Sequence, residues 1–277
     1  MHGKKKDETA EVVERLNEDV KELVKKFEED VGRARSIQQA LIPQRFSQVH
    51  GLKVMHKYLS GLKSGGDYLD FFEFGDKAHI GILMSDSSGY GLSSAFLSVI
   101  LRIAMKLTKD EARSPSQTIA KVFEELQLTM KPTEHLSIFY GIFNRKTFAL
   151  SFTGAGSIRF LVQSGAGGVE SSISDFSMHP VPLEKNKSVR LTDNEVTIHP
   201  GDRIVVMSDG FYEPFGGDET LKKTLAQSFG EEPLAFINEC AYHVKKTFEP
   251  GEDMPAQDCS VMVIDVEKRA MRLAQAK

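Results

Sequence analysis

Apolar residues follow two different periods along the chain. At the N-terminus Val13, Leu16, Val20, Leu23 and Phe27, then Ala34, Ile37 and Leu41, recur at alternating intervals of three and four. That is the a/d spacing of a coiled-coil helix. The series lies in a polar background, with 18 of the first 34 residues charged. Its apolar stripe is therefore narrow, and a seam with a second copy explains it better than a helix packed on its own domain. Asp30 falls on a d position and Gly32 follows it, so the seam is expected to weaken there and the helix to have a place to bend. Pro43 closes the pattern by restricting Ile42 and withholding a donor.

Beyond residue 45 the period changes. Short runs rich in Ile, Val, Phe and Tyr, bounded by Gly, Ser, Asp or Asn, predict strands at Leu52–Tyr58, Lys77–Ser85, Leu136–Asn144, Ala149–Thr153, Ile158–Gln163, Glu195–His199, Arg203–Met207 and Ser260–Val266. Helices are predicted at Leu92–Thr108, Ser116–Thr129, Asp218–Gln227 and Glu232–Thr247. Strands and helices come in blocks, which favours an α+β fold with antiparallel sheets. Ser164–Ser174, with three glycines, reads as a mobile loop. Three parts result: an N-terminal coiled-coil or regulatory helix (1–45), a folded domain (46–266) and a polar tail (267–277).

Composition narrows the function. Of 277 residues 40% are apolar and 27% charged, enough to build a core. No apolar run reaches the roughly 18 residues of a membrane span, and Met-His-Gly-Lys-Lys-Lys-Asp-Glu lacks the apolar stretch of a signal peptide. A net charge of −4 argues against broad nucleic-acid binding. Cys240 and Cys259 lack disulfide or zinc spacing, consistent with a reducing, cytoplasmic setting.

The candidate chemistry lies in acidic turns after strands: Gly65-Gly66-Asp67-Tyr68, Ser85-Asp86-Ser87-Ser88-Gly89-Tyr90-Gly91, Ser208-Asp209-Gly210, and Gln257-Asp258 before the last strand. Carboxylates at strand ends, beside glycines that permit close backbone approach, suit hard divalent cations such as Mg²⁺ or Mn²⁺. Two such ions can activate a shared water and clamp a phosphoryl oxygen. Any one of these turns alone is ordinary turn chemistry; their number and order carry the signal.

In that order the sequence resembles the bacterial PP2C-like serine/threonine phosphatases of the SpoIIE and RsbU type. The resemblance covers roughly residues 34–266, from Ala34-Arg35-Ser36-Ile37-Gln38-Gln39-Ala40-Leu41-Ile42-Pro43 through Ser64-Gly65-Gly66-Asp67-Tyr68-Leu69-Asp70 and Asp86-Ser87-Ser88-Gly89-Tyr90-Gly91-Leu92-Ser93-Ser94-Ala95. It continues at Phe139-Tyr140-Gly141, Gly154-Ala155-Gly156, Pro182-Leu183, Pro200-Gly201-Asp202 and Ser208-Asp209-Gly210-Phe211-Tyr212-Glu213. It implies an α-β-β-α sandwich of two antiparallel sheets flanked by helices, with a centre of two Mn²⁺ or Mg²⁺ ions at one edge. Asp67, Asp86 and Asp209 would be ligand carboxylates, and the Ser87 carbonyl a further ligand. The implied reaction is hydrolysis of a phosphoserine or phosphothreonine monoester, without a phosphoenzyme, on a STAS-type antagonist of an anti-sigma factor.

The resemblance also implies control by a movable pair of helices, the lead-in helix ending at Leu41 and the helix that starts with Leu92 and carries Ala95. The family pattern Asp-Asp-x-Thr before the last strand is here Gln257-Asp258-Cys259-Ser260. Aligned on Ser260, the ligand position holds Gln257; aligned on Pro255, Asp258 takes it. Ser157 and Ser60 stand where the family often has histidine and proline. Two rivals remain: a degenerate phosphatase domain that binds its partner without turnover, and a structural coiled-coil adaptor whose acidic turns are only turns. A homodimer through the N-terminal helix, residues 10–41, is expected.

Overall fold

The computed structural model describes residues 2–43, 49–62, 66–88, 92–108, 114–165 and 171–267. Gly65, Gly89, Tyr90 and Gly91 of the acidic turns, and the tail beyond Glu267, lie outside the described residues.

The chain opens with helix α1 (His2–Leu41), which stops two residues before Pro43. It then runs β1 (Leu52–Leu59), β2 (Tyr68–Glu73), β3 (His79–Ser87), α2 (Leu92–Thr108), α3 (Pro115–Thr129), β4 (His135–Asn144), β5 (Ala149–Ala155), β6 (Arg159–Ser164) and β7 (Ser172–Phe176). It continues with β8 (Leu183–Glu184), β9 (Asn194–Thr197), β10 (Arg203–Met207), α4 (Asp209–Tyr212), a 3₁₀ turn, α5 (Asp218–Gln227), α6 (Pro233–Lys245) and β11 (Cys259–Val266). The first sheet has the order β1-β11-β10-β6-β7, the second β2-β3-β4-β5-β9 with β8 beside β4. Every strand pairing in them is antiparallel.

Strand alternation builds the layers. In β10, Ile204 and Val206 face the second sheet, while Val205 and Met207 face α5 and α6. In β4, Phe139 and Phe143 face the first sheet, while Leu136, Ile138, Tyr140 and Ile142 face α2 and α3. Both strands therefore read as continuous apolar runs. Between the sheets Phe160 of β6 packs with ring centroids 4.9 Å from Phe139, 4.8 Å from Phe152 and 5.0 Å from Phe176. The result is a helix–sheet–sheet–helix sandwich, the arrangement that the resemblance implies.

Two segments differ from the sequence reading. Tyr68–Glu73 is a strand at the edge of the second sheet, paired with β3. Part of the predicted loop Ser164–Ser174 belongs to β7, paired with β6 from Phe160↔Phe176 to Ser164↔Ser172. Helix α1 passes through Asp30 and Gly32 unbroken, with the Ser36 hydroxyl donating to the Gly32 carbonyl at 3.0 Å. An i−4 bond of this kind slightly destabilises a helix and often bends it. Helix α1 lies against α2, yet Leu16, Val20, Leu23 and Ile37 remain more than half exposed. Ala95 is buried on α2; Leu41 and Leu92 lie in their helices, with side chains outside the described residues. None of the described helices is long and apolar enough to cross a membrane.

Candidate metal centre

The four acidic turns lie at one end of the sandwich because antiparallel pairing puts the end of one strand beside the start of the next. In the first sheet β10 ends opposite the start of β11, with Met207 paired to Val261. Asp209 and Asp258 follow and precede those strands directly. In the second sheet Tyr68 pairs with Ser85, which brings Asp67 and Asp86 together. The Ser208 hydroxyl then ties the sheets: it donates to Asp67 Oδ2 at 2.8 Å and accepts from Ser260 N at 2.9 Å. Close approach needs glycine at two points. A Cβ on Gly66 would lie 1.6 Å from Ser87 Oγ, and one on Gly210 would lie 2.2 Å from the Asp258 carbonyl oxygen.

Burial without counter-charge dominates the electrostatics. Asp67 is 1% exposed. Burial raises its pKa well above the carboxylate range, and the charges of Asp86 and Asp258 add to it; the hydrogen bond from Ser208 partly opposes the rise. Asp86 is pushed up to about 7, by burial first and then by Asp209, while its hydrogen bond with Asp67 pulls the other way. A carboxyl–carboxylate pair of this kind shares a proton when no cation stands between its members. Burial, with Asp67, Asp258 and Asp209 adding, raises the Cys259 thiol as well, so it is no nucleophile.

The other predicted residues fall around this pair. Ser87 is buried at the end of β3. Asp209 Oδ1 accepts from Gly210 N at 2.8 Å and from Gln257 Nε2 at 3.3 Å. Asp258 is 3% exposed, its Oδ1 accepting from Gly61 N and its Oδ2 from Tyr58 OH, both at 2.7 Å. Among the described residues no three His, Cys, Asp or Glu side chains are already set as a cation cage. The donor set nevertheless fits hard cations: oxygen ligands, several of them carboxylates whose repulsion only a cation or a proton relieves.

Sequence reasoning missed Ser208 as the donor to Asp67 and Ser260 as the amide behind it, although both stand inside the quoted motifs. It also missed Tyr58 and Gly61, about 200 residues from Asp258; no local pattern marks them. At the rim Tyr212 donates to the Ser157 carbonyl at 2.9 Å, and the Arg159 guanidinium lies 5.4 Å from the centre of its ring. Arg159 is itself held by Asp175 and Asp218.

The family model for Stage II sporulation protein E (SpoIIE) matches residues 76–267. The chain belongs to the SpoIIE family of PP2C-type serine/threonine phosphatase domains. Asp86, Asp209 and Asp258 fall inside the matched stretch of this SpoIIE domain, and Asp67 just before it. Among curated proteins none matches the chain.

Solved structures share the fold. The SiaA PP2C domain of Pseudomonas aeruginosa superposes with a TM-score of 0.69 at 17% identity, over 88% of this chain and 98% of that one. RsbX in complex with magnesium gives 0.61 at 14% identity, over 80% and 99%. The catalytic domain of the serine/threonine phosphatase PstP, in complex with two manganese ions, gives 0.58 at 14% identity, over 78% and 99%.

Proposed function

We propose that this SpoIIE-family domain is a Mg²⁺- or Mn²⁺-dependent enzyme that hydrolyses a phosphoserine or phosphothreonine monoester on a regulatory protein. The observation that carries this is the pair Asp67 and Asp86, set side by side by the Tyr68–Ser85 register with Asp67 buried, where their like charges act on each other without a counter-charge. Asp67, Asp86, the Ser87 carbonyl and Asp209 would hold the cations. When bound, divalent cations supply an activated water and offset charge on the phosphoryl oxygens. The chain itself supplies alignment: Ser208 fixes one Asp67 oxygen across the two sheets, the Gly66 approach keeps Asp67 close to the end of β3, and the Gly210 approach keeps Asp209 close to Asp258. Tyr212, anchored on Ser157, forms a wall beside Asp209.

For the substrate, the resemblance favours a phosphorylated STAS-type protein in a cytoplasmic signalling switch. The exposed Leu16, Val20, Leu23 and Ile37 stripe on α1 favours a homodimer through that helix. Control through α1 and α2 is favoured by two links from α2: Ser98 Oγ to the Gly66 carbonyl at 3.3 Å, next to Asp67, and Ser93 Oγ to Glu134 at 2.6 Å. Binding without turnover is the second reading, favoured by the Gln257 amide at Asp209.

The test is hydrolysis of p-nitrophenyl phosphate with Mn²⁺, Mg²⁺ or EDTA, on the wild type, Asp86→Asn and Asp209→Asn. Metal-dependent turnover lost in both variants is expected. Wild-type turnover that persists in EDTA refutes the reading, and metal binding without turnover on any phosphorylated substrate supports the binding module.

A further inference from the structure

The Asp209 side of the site differs from the Asp67–Asp86 side in the kind of group that completes it. At Asp67 and Asp86 two carboxylates face each other. At Asp209 the neighbouring side chain is the Gln257 amide, which donates Nε2–H to Asp209 Oδ1. The nearby carboxylate of Asp258 is turned to the interior, one oxygen on Gly61 N and the other on Tyr58 OH. An amide brings a dipole where a carboxylate brings a full charge. To offer Oε1 to a cation, Gln257 must also rotate its amide and give up the hydrogen bond to Asp209. Gln257 is exposed, so nothing packed around it opposes a change of side chain.

Building on the metal-dependent reading above, we infer that Gln257 makes the centre unequal: one divalent cation is held tightly on the Asp67–Asp86 side, and a second only weakly at Asp209. Gln257 thus sets the cation concentration at which the centre fills. Asp258 is a positioning residue for the Tyr58–Gly61 turn and takes no part in holding the second ion.

The experiment is Mn²⁺ binding to the chelator-stripped full chain, with free Mn²⁺ read by its electron paramagnetic resonance signal, below the melting temperature of every variant. The wild type is expected to bind one ion tightly and a second at least about tenfold more weakly. Gln257→Asp is expected to tighten the second about tenfold or more, about 1.4 kcal/mol, since it puts a full negative charge beside the cation where the amide has only a dipole, and to leave the first unchanged. Asp258→Asn is expected to lower the melting temperature while moving the second affinity by less than about threefold, under 0.7 kcal/mol. Two equal ions in the wild type overturn the inference. So does a Gln257→Asp variant whose second ion is no tighter, or an Asp258→Asn variant that loses that ion. Failure of the metal-dependent reading itself looks different: no saturable Mn²⁺ binding to the wild type, and none lost in Asp86→Asn.

Discussion

The two ends of the sandwich treat their carboxylates in opposite ways. Where β10 begins and β11 ends, Asp265 is gripped by Arg203 through Nε at 2.6 Å and Nη2 at 2.9 Å. The same guanidinium also donates to the carbonyls of Ser228 and Glu231, at 3.0 and 2.7 Å. Nearby Arg145 bonds Glu73 at 2.9 Å, and Asp76 meets His79 at 2.6 Å. Where β10 ends and β11 begins, Asp67, Asp86, Asp209 and Asp258 act on one another as repelling charges. The first end spends its charges on holding the fold together. The second keeps an imbalance that only a proton or an outside cation relieves, and that imbalance is the ground on which we propose the functional site there.

If the contrast is right, substitutions at the two ends should have opposite signs. The largest effect is expected from Arg203→Ala, which strands Asp265 and two carbonyls: a loss of about 3–5 kcal/mol, read by denaturant unfolding. A loss below about 1 kcal/mol, no more than an exposed pair is worth, would break the comparison. Next, Asp86→Asn should reduce Mn²⁺-dependent phosphatase turnover about 100-fold or more, roughly 2.7 kcal/mol in barrier.

In the metal-free protein the same Asp86→Asn change should stabilise the fold, by something on the order of 1–2 kcal/mol, because it removes a repelling charge. Destabilisation of the stripped protein would show that Asp86 is a structural partner and not a poised ligand.

The pH dependence follows with its sign. Asp67 and Asp86 have folded-state pKa values above the carboxylate range, Asp86 at about 7. Their contribution to stability is complete below about pH 4 and is lost as pH rises through about 7. The melting temperature of the EDTA-treated protein should therefore fall between pH 5 and pH 8, and saturating Mn²⁺ should reduce that fall.

The smallest effect belongs to the other end. His79 holds the Asp76 carboxyl down at about 2, with backbone amides contributing. The pair stabilises above about pH 4 and loses that contribution as pH falls toward 2. Since Asp76 is exposed, His79→Ala should cost no more than about 1 kcal/mol at neutral pH. A larger loss would show that this end is more than a set of ordinary ion pairs.

Much of the fold is legible in the chain. Arg203–Met207 is a strand with both ends as predicted, because four apolar residues bounded by Asp202 and Ser208 leave little choice. Leu92–Thr108 is a helix at both predicted ends. Strand β2 escaped because Tyr-Leu-Asp-Phe-Phe-Glu puts a carboxylate inside the run; Asp70 takes hydrogen bonds from Tyr68 OH and Phe71 N at the sheet edge, a solution no local pattern reveals. Strand β7 escaped because Ser-Ile-Ser-Asp-Phe carries only two apolar side chains, and Phe176 gains its place by stacking on Phe160 from another strand.

The sequence by itself determined most of the strands and the long helices, that four acidic segments sit at strand ends, and that their order is that of a PP2C-type phosphatase. Tertiary structure alone decided what each carboxylate meets: Asp67 shares a hydrogen bond with Asp86, Asp209 faces an amide, and Asp258 turns inward to Tyr58. The reason is geometric. Local pattern sets side-chain direction along a strand, but burial and electrostatic coupling depend on neighbours across sheets. Antiparallel pairing and sheet stacking bring those neighbours together from positions up to 200 residues apart.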